Sequence, residues 1–211
     1  MDKQLDFYQV DAEYITYLHG IDSRVPNVDY SAERRHDKFL CGIVLSVGGH
    51  GYFAPISSFC KPQRTNIVIK DANGKDVSSI RFSFMIPVPP GVVSVKRIAD
   101  EPSMQYRTFL NMELQYCRRN ANAIFSRARF VYNAVAVKKD PLMVKNCCDF
   151  KALEAACAEY SKEQTRGQIK VADNPVERPS TLKMIREARK AQRESPPGKS
   201  DKTKRKDGHE R

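Results

Sequence analysis

Two serines and a lysine lie close together in one short stretch of the chain. Ser57, Ser58 and Lys61 place two hydroxyl groups and an ammonium group within five residues. In phosphoryl transfer, hydroxyls can hydrogen-bond the reacting phosphate, and a cation can stabilise the charge that develops on its nonbridging oxygens. The same residues also suit a turn with a solvated lysine, so their spacing alone leaves both interpretations open.

A β-hairpin is predicted to position these three residues. Residues 39–47 and 52–56 are rich in β-branched and aromatic side chains, and residues 48–51, Gly-Gly-His-Gly, tolerate a positive backbone angle φ. Pro55 cannot donate a ladder hydrogen bond, so the second strand is expected to lie at a sheet edge or to end near Ile56. The serines then lie on the loop that follows this strand, where a rigid scaffold supports chemistry.

Further strands predict an α+β fold with a strongly twisted antiparallel sheet of about six strands and helices packed around it. Residues 5–10 are a strand. A second hairpin runs from residues 66–70, through an Asn-Gly turn at 73–74, to the alternating apolar and polar residues 77–88. Residues 91–98 provide another strand.

Three helices are predicted after or between these strands. Asp11 and Asp149 are suitable N-caps for two of them, and the second of these would bury Leu153, Cys157 and Tyr160. A long helix over about residues 103–137 has the clearest periodicity. Its core stripe is Leu110, Leu114, Cys117, Ala121, Ile124, Ala128, Val131 and Val135.

A second row of side chains on the long helix is polar and basic. It repeats every three or four residues beside the core stripe and contains no carboxylate. We interpret this face as an RNA-binding groove, because arginine contacts phosphate and stacks on unpaired bases; a solvated helix face is the alternative. The candidate RNA-binding residues are Arg107, Arg118, Arg119, Asn122 and Arg129.

The net charge of +11 also favours a polyanionic partner such as nucleic acid. Residues 161–211 carry 15 basic and 8 acidic side chains, which is +7 of that total. Hydrophobic residues become sparse in this segment and prolines interrupt it. We therefore predict a globular domain over residues 1–160 and a basic tail over 161–211, partly helical and then disordered.

The cysteines and histidines predict neither a metal site nor a cofactor. Six cysteines include no Cys-x-x-Cys pair, and the four histidines are scattered. No apolar run approaches the roughly 18 residues that span a bilayer. We expect a cytoplasmic protein with reduced thiols.

Two other classes of protein stay open at this point. A noncatalytic RNA-binding module would have the same basic helix. A serine hydrolase would need a histidine close to its serine, and the nearest conspicuous one, His50, lies eight extended residues from Ser58, or about 26 Å away. His36 lies in a polar loop near Lys38, where it suits either acid–base chemistry or simple exposure to solvent.

Eight short segments, in order, are similar to the ToxN/AbiQ family of endoribonuclease toxins. In the bacterial type III toxin–antitoxin systems of this family, a repetitive structured RNA restrains the toxin. The matching segments are residues 6–8, 14–18, 25–27, 38–45, 49–58, 84–87, 114–116 with Arg118, and 148–150.

The resemblance implies a compact barrel-like fold shared with the MazF and Kid toxins. It implies a metal-independent endoribonuclease that cuts messenger RNA, processes its own antitoxin RNA precursor and acts in phage defence. Attack by the ribose 2′-hydroxyl would leave a 2′,3′-cyclic phosphate and a 5′-hydroxyl. The implied partner is a tandem-repeat antitoxin RNA of the pseudoknot type, held with the toxin in a cyclic hetero-oligomer.

The resemblance also implies which residues form the active site. Ser57 and Ser58 fall on the hydroxyl pair of the family, and Lys61 is the nearest candidate for its lysine, although Cys60 stands where that lysine often falls. Lys38 matches a second active-site lysine. Tyr30 matches a loop tyrosine once a gap is allowed.

Overall fold

A computed structural model describes residues 5–26 and 39–172 of the chain. Its strands are β1 (Asp6–Val10), β2 (Leu40–Val47), β3 (His50–Ser57), β4 (Asn66–Lys70), β5 (Asp76–Arg81), β6 (Ile86–Pro87) and β7 (Val93–Val95). Its helices are α1 (Ala12–Ile21), α2 (Met104–Arg119), α3 (Ala121–Tyr132), α4 (Pro141–Asn146) and α5 (Phe150–Ala172). The seven strands form one antiparallel sheet in the order β4-β5-β3-β2-β1-β7, with β6 paired to β3. The predicted α+β class is confirmed.

The central hairpin forms where the sequence predicts it. Gly48 and Gly49 make the turn between β2 and β3 with φ of +55° and +83°, in the region that glycine adopts without steric cost. Gly42 lies so close to the Phe53 ring that a Cβ there would be 2.1 Å from a ring carbon. Glycine at position 42 therefore allows β2 and β3 to pack with this ring in place.

Pro55 predicts a strand that either lies at a sheet edge or ends near Ile56; β3 is central and ends at Ser57, so the second alternative is confirmed. On one side, Pro55 is opposite Leu40 of β2. On the other side, β3 pairs with β6 up to Phe53 and with β5 from Ile56 onward. Pro55 lies between these two partner strands, so its lack of an N–H does not remove a hydrogen bond from the ladder.

The second hairpin is shorter than its sequence pattern predicts. Strands β4 and β5 pair as expected, but β5 ends at Arg81 rather than continuing to residue 88. A 3₁₀ turn over Phe82–Phe84 interrupts it and places Phe82 in the core. Apolar and polar residues also alternate across this turn, so alternation alone does not reveal it. In the described residues, the strand pairings follow an open path from β4 to β7.

The predicted long helix is divided into α2 and α3. The break is at Asn120, whose side-chain amide donates to the Tyr116 carbonyl at 2.8 Å and competes with the helical hydrogen bonds. A turn of π-helix over Asn133–Val137 follows α3. The predicted core stripe is nevertheless confirmed, since every member from Leu110 to Val135 is buried except the half-buried Ala121.

Helices α1 and α5 begin at the predicted caps, whereas α4 begins after Asp140, a cap that was not predicted. Asp11 accepts a hydrogen bond from the Glu13 N–H, and Asp149 accepts from the Lys151 and Ala152 N–H groups, each at 3.1 Å. Helix α5 buries Leu153 and Cys157 as predicted but leaves Tyr160 half-buried, and it continues to Ala172, beyond the predicted start of the tail. Residues up to Arg166 group into one compact unit, which contains every site described below.

No helix in the described part of the chain combines the length and apolar character needed to cross a membrane. The predicted tail after residue 172 lies outside the described residues.

Candidate active site

A pocket of about 580 Å³ lies at the end of β3 where the two serines are found. Ser57 is the last residue of β3, and Ser58 follows it on the loop. Among the described residues, the pocket is lined by apolar side chains, the two serines and two arginines, with no carboxylate. The polar lining residues are Ser57, Ser58, Arg24 and Arg81.

The two serines differ in how they are held. The Ser57 Oγ accepts a hydrogen bond from the Phe59 N–H at 3.2 Å, which leaves its own hydrogen free to be donated. Ser58 is exposed, and no hydrogen bond joins its hydroxyl to another described residue. Both hydroxyls are therefore available to a ligand in the pocket.

The loop after the serines is held rigidly by side chains of β4 and β5. The Ser79 hydroxyl donates to the Phe59 carbonyl at 2.5 Å. The buried Asn66 side chain donates to the Lys61 carbonyl at 3.0 Å and accepts from the Gln63 N–H at 2.9 Å. These bonds add to the one within the loop, in which the Cys60 thiol donates to the Ser58 carbonyl at 3.2 Å.

Lys61 is not among the residues that line the pocket. Its side chain is exposed, and its backbone carbonyl is the group that Asn66 holds. The structure therefore brings Ser57 and Ser58 together in the pocket, with Lys61 further along the loop. The assignment of Lys61 to the active site stays a prediction.

The other predicted active-site residues, Tyr30 and Lys38, lie outside the described residues, as does His36. The described chain stops at Pro26 and resumes at Phe39, and both of these residues line the pocket. The roles of Tyr30 and Lys38 stay predictions.

Arg24 lines the pocket but is already neutralised. Its guanidinium donates to both carboxylate oxygens of Asp22, at 2.9 and 3.0 Å, and to the Val144 carbonyl at 2.8 Å. Burial raises the pKa of the Asp22 carboxyl, but the hydrogen bonds from Arg24 and from the Asp149 N–H outweigh it and hold that pKa below its usual value. Arg24 is therefore a structural link between the end of α1 and α4.

Arg81 is the pocket cation that sequence reasoning missed. It is the last residue of β5, and its guanidinium carbon lies 4.7 Å from the ring centroid of Phe59 and 4.7 Å from that of Phe84. Burial lowers the pKa of Arg81. The available signal was a basic residue, Arg81, between the apolar residues Ile80 and Phe82, but nothing local links it to the serines.

The predicted RNA-binding residues of the long helix fall into two groups. Arg119, Asn122 and Arg129 are exposed, and no hydrogen bond or ion pair joins them to other described side chains. The other two, Arg107 and Arg118, are hydrogen-bonded to other parts of the protein. Arg107 donates to the Ala99 carbonyl at 3.4 Å, and Arg118 donates to the Leu5 carbonyl at 3.0 Å and to the Asp6 carboxylate at 3.3 Å.

Glu113, the single acid of α2 and α3, faces the core rather than the solvent. It is 1% exposed and accepts a hydrogen bond from the Ser78 hydroxyl on β5, while its second oxygen has no partner. Burial raises the pKa of Glu113 to about 7 despite that hydrogen bond. The solvent-facing surface of the two helices therefore carries no carboxylate.

An aromatic and basic cluster joins the pocket loop to α3. The Arg64 guanidinium lies over the Phe130 ring, 5.5 Å from its centroid, and Arg127 donates to the Arg64 carbonyl at 3.0 Å. Phe130 is 41% exposed. Exposed rings with nearby arginines suit the stacking of unpaired bases, so this cluster extends the basic face of the helices toward the pocket.

Among the described residues, no three His, Cys, Asp or Glu side chains are grouped in a way that could hold a metal ion. The chemistry open to the pocket is thus hydrogen bonding by two hydroxyls and charge stabilisation by arginine. Both suit an anionic substrate such as a phosphodiester.

Comparison with known proteins gives one consistent result. Residues 6–158 match the family model described as toxin ToxN of a type III toxin–antitoxin system. The chain is 29% identical over 171 residues to an endoribonuclease ToxN from Pectobacterium atrosepticum, an alignment that covers 75% of this chain and 95% of that protein. It is also 29% identical over 175 residues to an endoribonuclease AbiQ from Lactococcus lactis, covering 76% and 92% of the two chains.

Solved structures agree in fold. One, of a type III toxin–antitoxin system whose toxin is selectively inhibited by a non-coding RNA pseudoknot, superimposes with a TM-score of 0.69 at 26% identity, covering 75% of this chain and 99% of the other. A second, of the lactococcal anti-phage endoribonuclease AbiQ, gives a TM-score of 0.67 at 26% identity with the same coverage.

Proposed function

The chain belongs to the ToxN family of type III toxin–antitoxin systems, and from this premise we propose that it is an endoribonuclease toxin. We propose that it cuts messenger RNA and its own repetitive antitoxin RNA precursor, and that the processed RNA inhibits it. The family match over residues 6–158 carries this proposal. The relatives that it matches along nearly their whole length are endoribonucleases.

The pocket at the end of β3 is the proposed active site. Its two serine hydroxyls support a role in hydrogen-bonding the scissile phosphate. This is the role that the resemblance to the family implies for Ser57 and Ser58. Loss of one such preorganised hydrogen bond lowers the reaction rate strongly, because the bond acts where charge develops in the transition state. Charge stabilisation by Lys61 and Lys38, with Tyr30 nearby, is part of the same proposal.

The proposed reaction uses a nucleophile that the RNA itself supplies. The ribose 2′-oxygen forms a bond to phosphorus, and the bond from phosphorus to the 5′-oxygen breaks. The 2′-hydroxyl loses a proton and the departing 5′-oxygen gains one, which leaves a 2′,3′-cyclic phosphate and a 5′-hydroxyl. The protein then aligns the 2′-oxygen and stabilises the crowded phosphorane.

The proposed partners follow from the family. The antitoxin is an RNA of the pseudoknot type, transcribed as tandem repeats, and toxin and RNA form a cyclic hetero-oligomer. Toxin released during infection would act in phage defence, as an anti-phage activity is stated for the AbiQ relative. The cytoplasm is the proposed compartment, and six cysteines free of disulfides suit its reducing conditions.

We also propose that the sheet is related to the compact barrel of the MazF and Kid toxins. Strand β3 exchanges β6 for β5 as its partner at Pro55, which supports a sharp bend of the sheet at that point.

The proposed reaction is expected to proceed in excess EDTA and to yield RNA with 5′-hydroxyl ends. The described part of the pocket offers arginine and hydroxyls rather than the carboxylates that Mg²⁺ prefers. End-labelling with polynucleotide kinase, without prior phosphatase treatment, measures the 5′-hydroxyls. A Ser58→Ala preparation purified in parallel controls for contaminating ribonuclease. Products with 5′-phosphates, or activity that returns only with Mg²⁺, would contradict the mechanism.

The basic face of α2 and α3 is the proposed RNA-binding surface, and its arginines are expected to differ in effect. Arg129→Ala removes a phosphate contact, so it should reduce the salt dependence of RNA binding by about one in log–log slope and leave stability unchanged. Arg118→Ala should instead lower the free energy of unfolding by about 1 kcal/mol, because it breaks the bonds to Leu5 and Asp6. Urea unfolding and binding at several salt concentrations measure both. Unchanged stability of Arg118→Ala with weakened RNA binding would show that Arg118 leaves β1 to bind RNA.

A noncatalytic RNA-binding module is the second candidate, and the basic helix face is the observation that favours it. Such a protein would bind RNA tightly without cleaving it. The Ser58→Ala variant would then be as toxic as the wild type.

A further inference from the structure

The guanidinium of Arg81 is fixed in position before any ligand arrives. Phe59 and Phe84 lie at equal distances from it, 4.7 Å from the guanidinium carbon to each ring centroid. Both backbone polar groups of Phe59 are hydrogen-bonded, since its N–H donates to the Ser57 Oγ and its carbonyl accepts from the Ser79 hydroxyl. Ser57, Phe59 and Ser79 therefore form one hydrogen-bonded unit, and Phe59 together with Phe84 forms an aromatic clamp around Arg81.

Arg81 also lies on the same face of the sheet as the serine at the end of β3. Ser57 is directly opposite Ser79 in the pairing of β3 with β5. Directly opposed residues share a face, and Arg81 is two residues after Ser79, so all three side chains are on one side of the sheet. Arg81 and both serines line the same pocket.

Among the described residues, no carboxylate pairs with Arg81, whose contacts there are the two aromatic rings. Its Nε–H is buried without a hydrogen-bond acceptor among those residues. Arg81 as a whole is half-buried, but a buried N–H group without an acceptor is costly, and an anion in the pocket that accepts from it would remove that cost. A planar guanidinium suits a phosphate because it can donate two parallel hydrogen bonds to two of its oxygens.

We propose that Arg81 binds the nonbridging oxygens of the scissile phosphate and is a catalytic residue of this pocket. This inference rests on the proposed endoribonuclease function and adds to it a cation at the site of reaction. The bond from the 2′-oxygen to phosphorus increases the negative charge on the nonbridging oxygens, and a preformed guanidinium stabilises that charge more in the transition state than in the bound substrate. The clamp holds the guanidinium in its reactive orientation, so no side-chain ordering is needed during the reaction.

Arg81→Ala is expected to cleave a short RNA with one mapped site about 100 to 1000 times more slowly than the wild type at saturating enzyme. Arg97→Ala, which removes an exposed arginine outside the pocket, is the matched control and should cleave at the wild-type rate. Arg81→Lys keeps the charge but loses the planar fork, so its rate should be intermediate. Circular dichroism and the thermal midpoint establish that each variant is folded.

Replacement of one nonbridging oxygen of the scissile phosphate by sulfur separates phosphate contact from mere packing. Sulfur accepts hydrogen bonds poorly, so the substitution should slow the wild type markedly and slow Arg81→Ala much less. A residue that only supports the fold would give the same sulfur effect in both proteins. Equal effects would therefore overturn the proposal.

Chemical rescue provides a second readout. Millimolar guanidinium should raise the cleavage rate of Arg81→Ala until it saturates, whereas urea, which is similar in shape and uncharged, should not. Rescue by urea as well as guanidinium would mean that the site needs only a filled gap between the rings, and this would overturn the proposed charge role. Full cleavage by Arg81→Ala would also overturn the role of Arg81 and leave the proposed endoribonuclease function intact. An inactive wild-type protein would overturn both.

Discussion

Ser58→Ala is expected to cleave RNA about 100 to 1000 times more slowly than the wild-type protein and to unfold at the same temperature. Ser58 follows the last residue of β3, lies in the pocket and is exposed, and its hydroxyl makes no hydrogen bond to another described residue. The fold therefore does not depend on this hydroxyl. Its removal should affect only a ligand in the pocket.

The measurement is a single-turnover cleavage rate with a saturating concentration of enzyme, together with growth of cells that express the variant without antitoxin RNA. The wild type should arrest growth, and Ser58→Ala should permit it. Ser94→Ala is the matched control, because Ser94 is an exposed serine on β7, at the opposite edge of the sheet from β4. It should remain toxic.

Ser57→Ala should differ from Ser58→Ala in one respect. The Ser57 oxygen also accepts the Phe59 N–H, so its loss should loosen the loop as well as slow cleavage. Full toxicity of folded Ser58→Ala and Ser57→Ala would move the active site away from this pocket and would favour the noncatalytic alternative.

Glu113→Gln is expected to stabilise the protein by about 3 kcal/mol at pH 8 and to have little effect at pH 5. Burial raises the pKa of Glu113 from its ordinary value of 4.5 to about 7 in the folded protein. Below pH 4.5 the carboxyl is neutral in both folded and unfolded states and costs nothing. As the pH rises through 7, the folded state must hold a buried carboxylate, so stability is lost between these values, at about 1.4 kcal/mol per pH unit.

The test is chemical denaturation of both proteins from pH 5 to pH 8. Thermal unfolding is a second measurement. For a protein of this size, a gain of about 3 kcal/mol at pH 8 should raise the thermal midpoint by roughly 6 to 12 °C. Glu163→Gln, an exposed acid of α5, is the control and should follow the wild type at every pH. If Glu113→Gln is equally destabilising at both pH values, then Ser78 holds an ionised carboxylate that the fold requires.

Much of the architecture was predictable because it depends on local spacing. The core stripe from Leu110 to Val135 was identified correctly even though the helix is broken at Asn120, since the apolar positions keep the same period on both sides of the break. The hairpin turn at Gly48 and Gly49 was equally clear, because only residues that accept positive φ suit it.

What local spacing left undecided or predicted wrongly concerns strands whose neighbours are distant in the chain. Pro55 left open an edge strand or a strand that ends near Ile56, and the structure has a central strand that changes partners at Pro55 and ends at Ser57. The alternation after residue 77 predicted one strand, but the turn at Phe82–Phe84 ends it at Arg81. In both cases the local pattern is compatible with either structure, and pairing with another strand decides between them.

The amino-acid sequence by itself determined the family, the class of fold and the position of Ser57 and Ser58 at the end of a strand. Only the tertiary structure decided which charged group lines the pocket with those serines. It also decided which charged group is buried away from solvent. Arg81 enters the pocket because Ser57 pairs with Ser79, and Glu113 is buried because helix α2 packs on Ser78 of β5. A side chain's type and local period depend on its near neighbours in sequence, whereas its partner and its dielectric surroundings depend on contacts between distant segments.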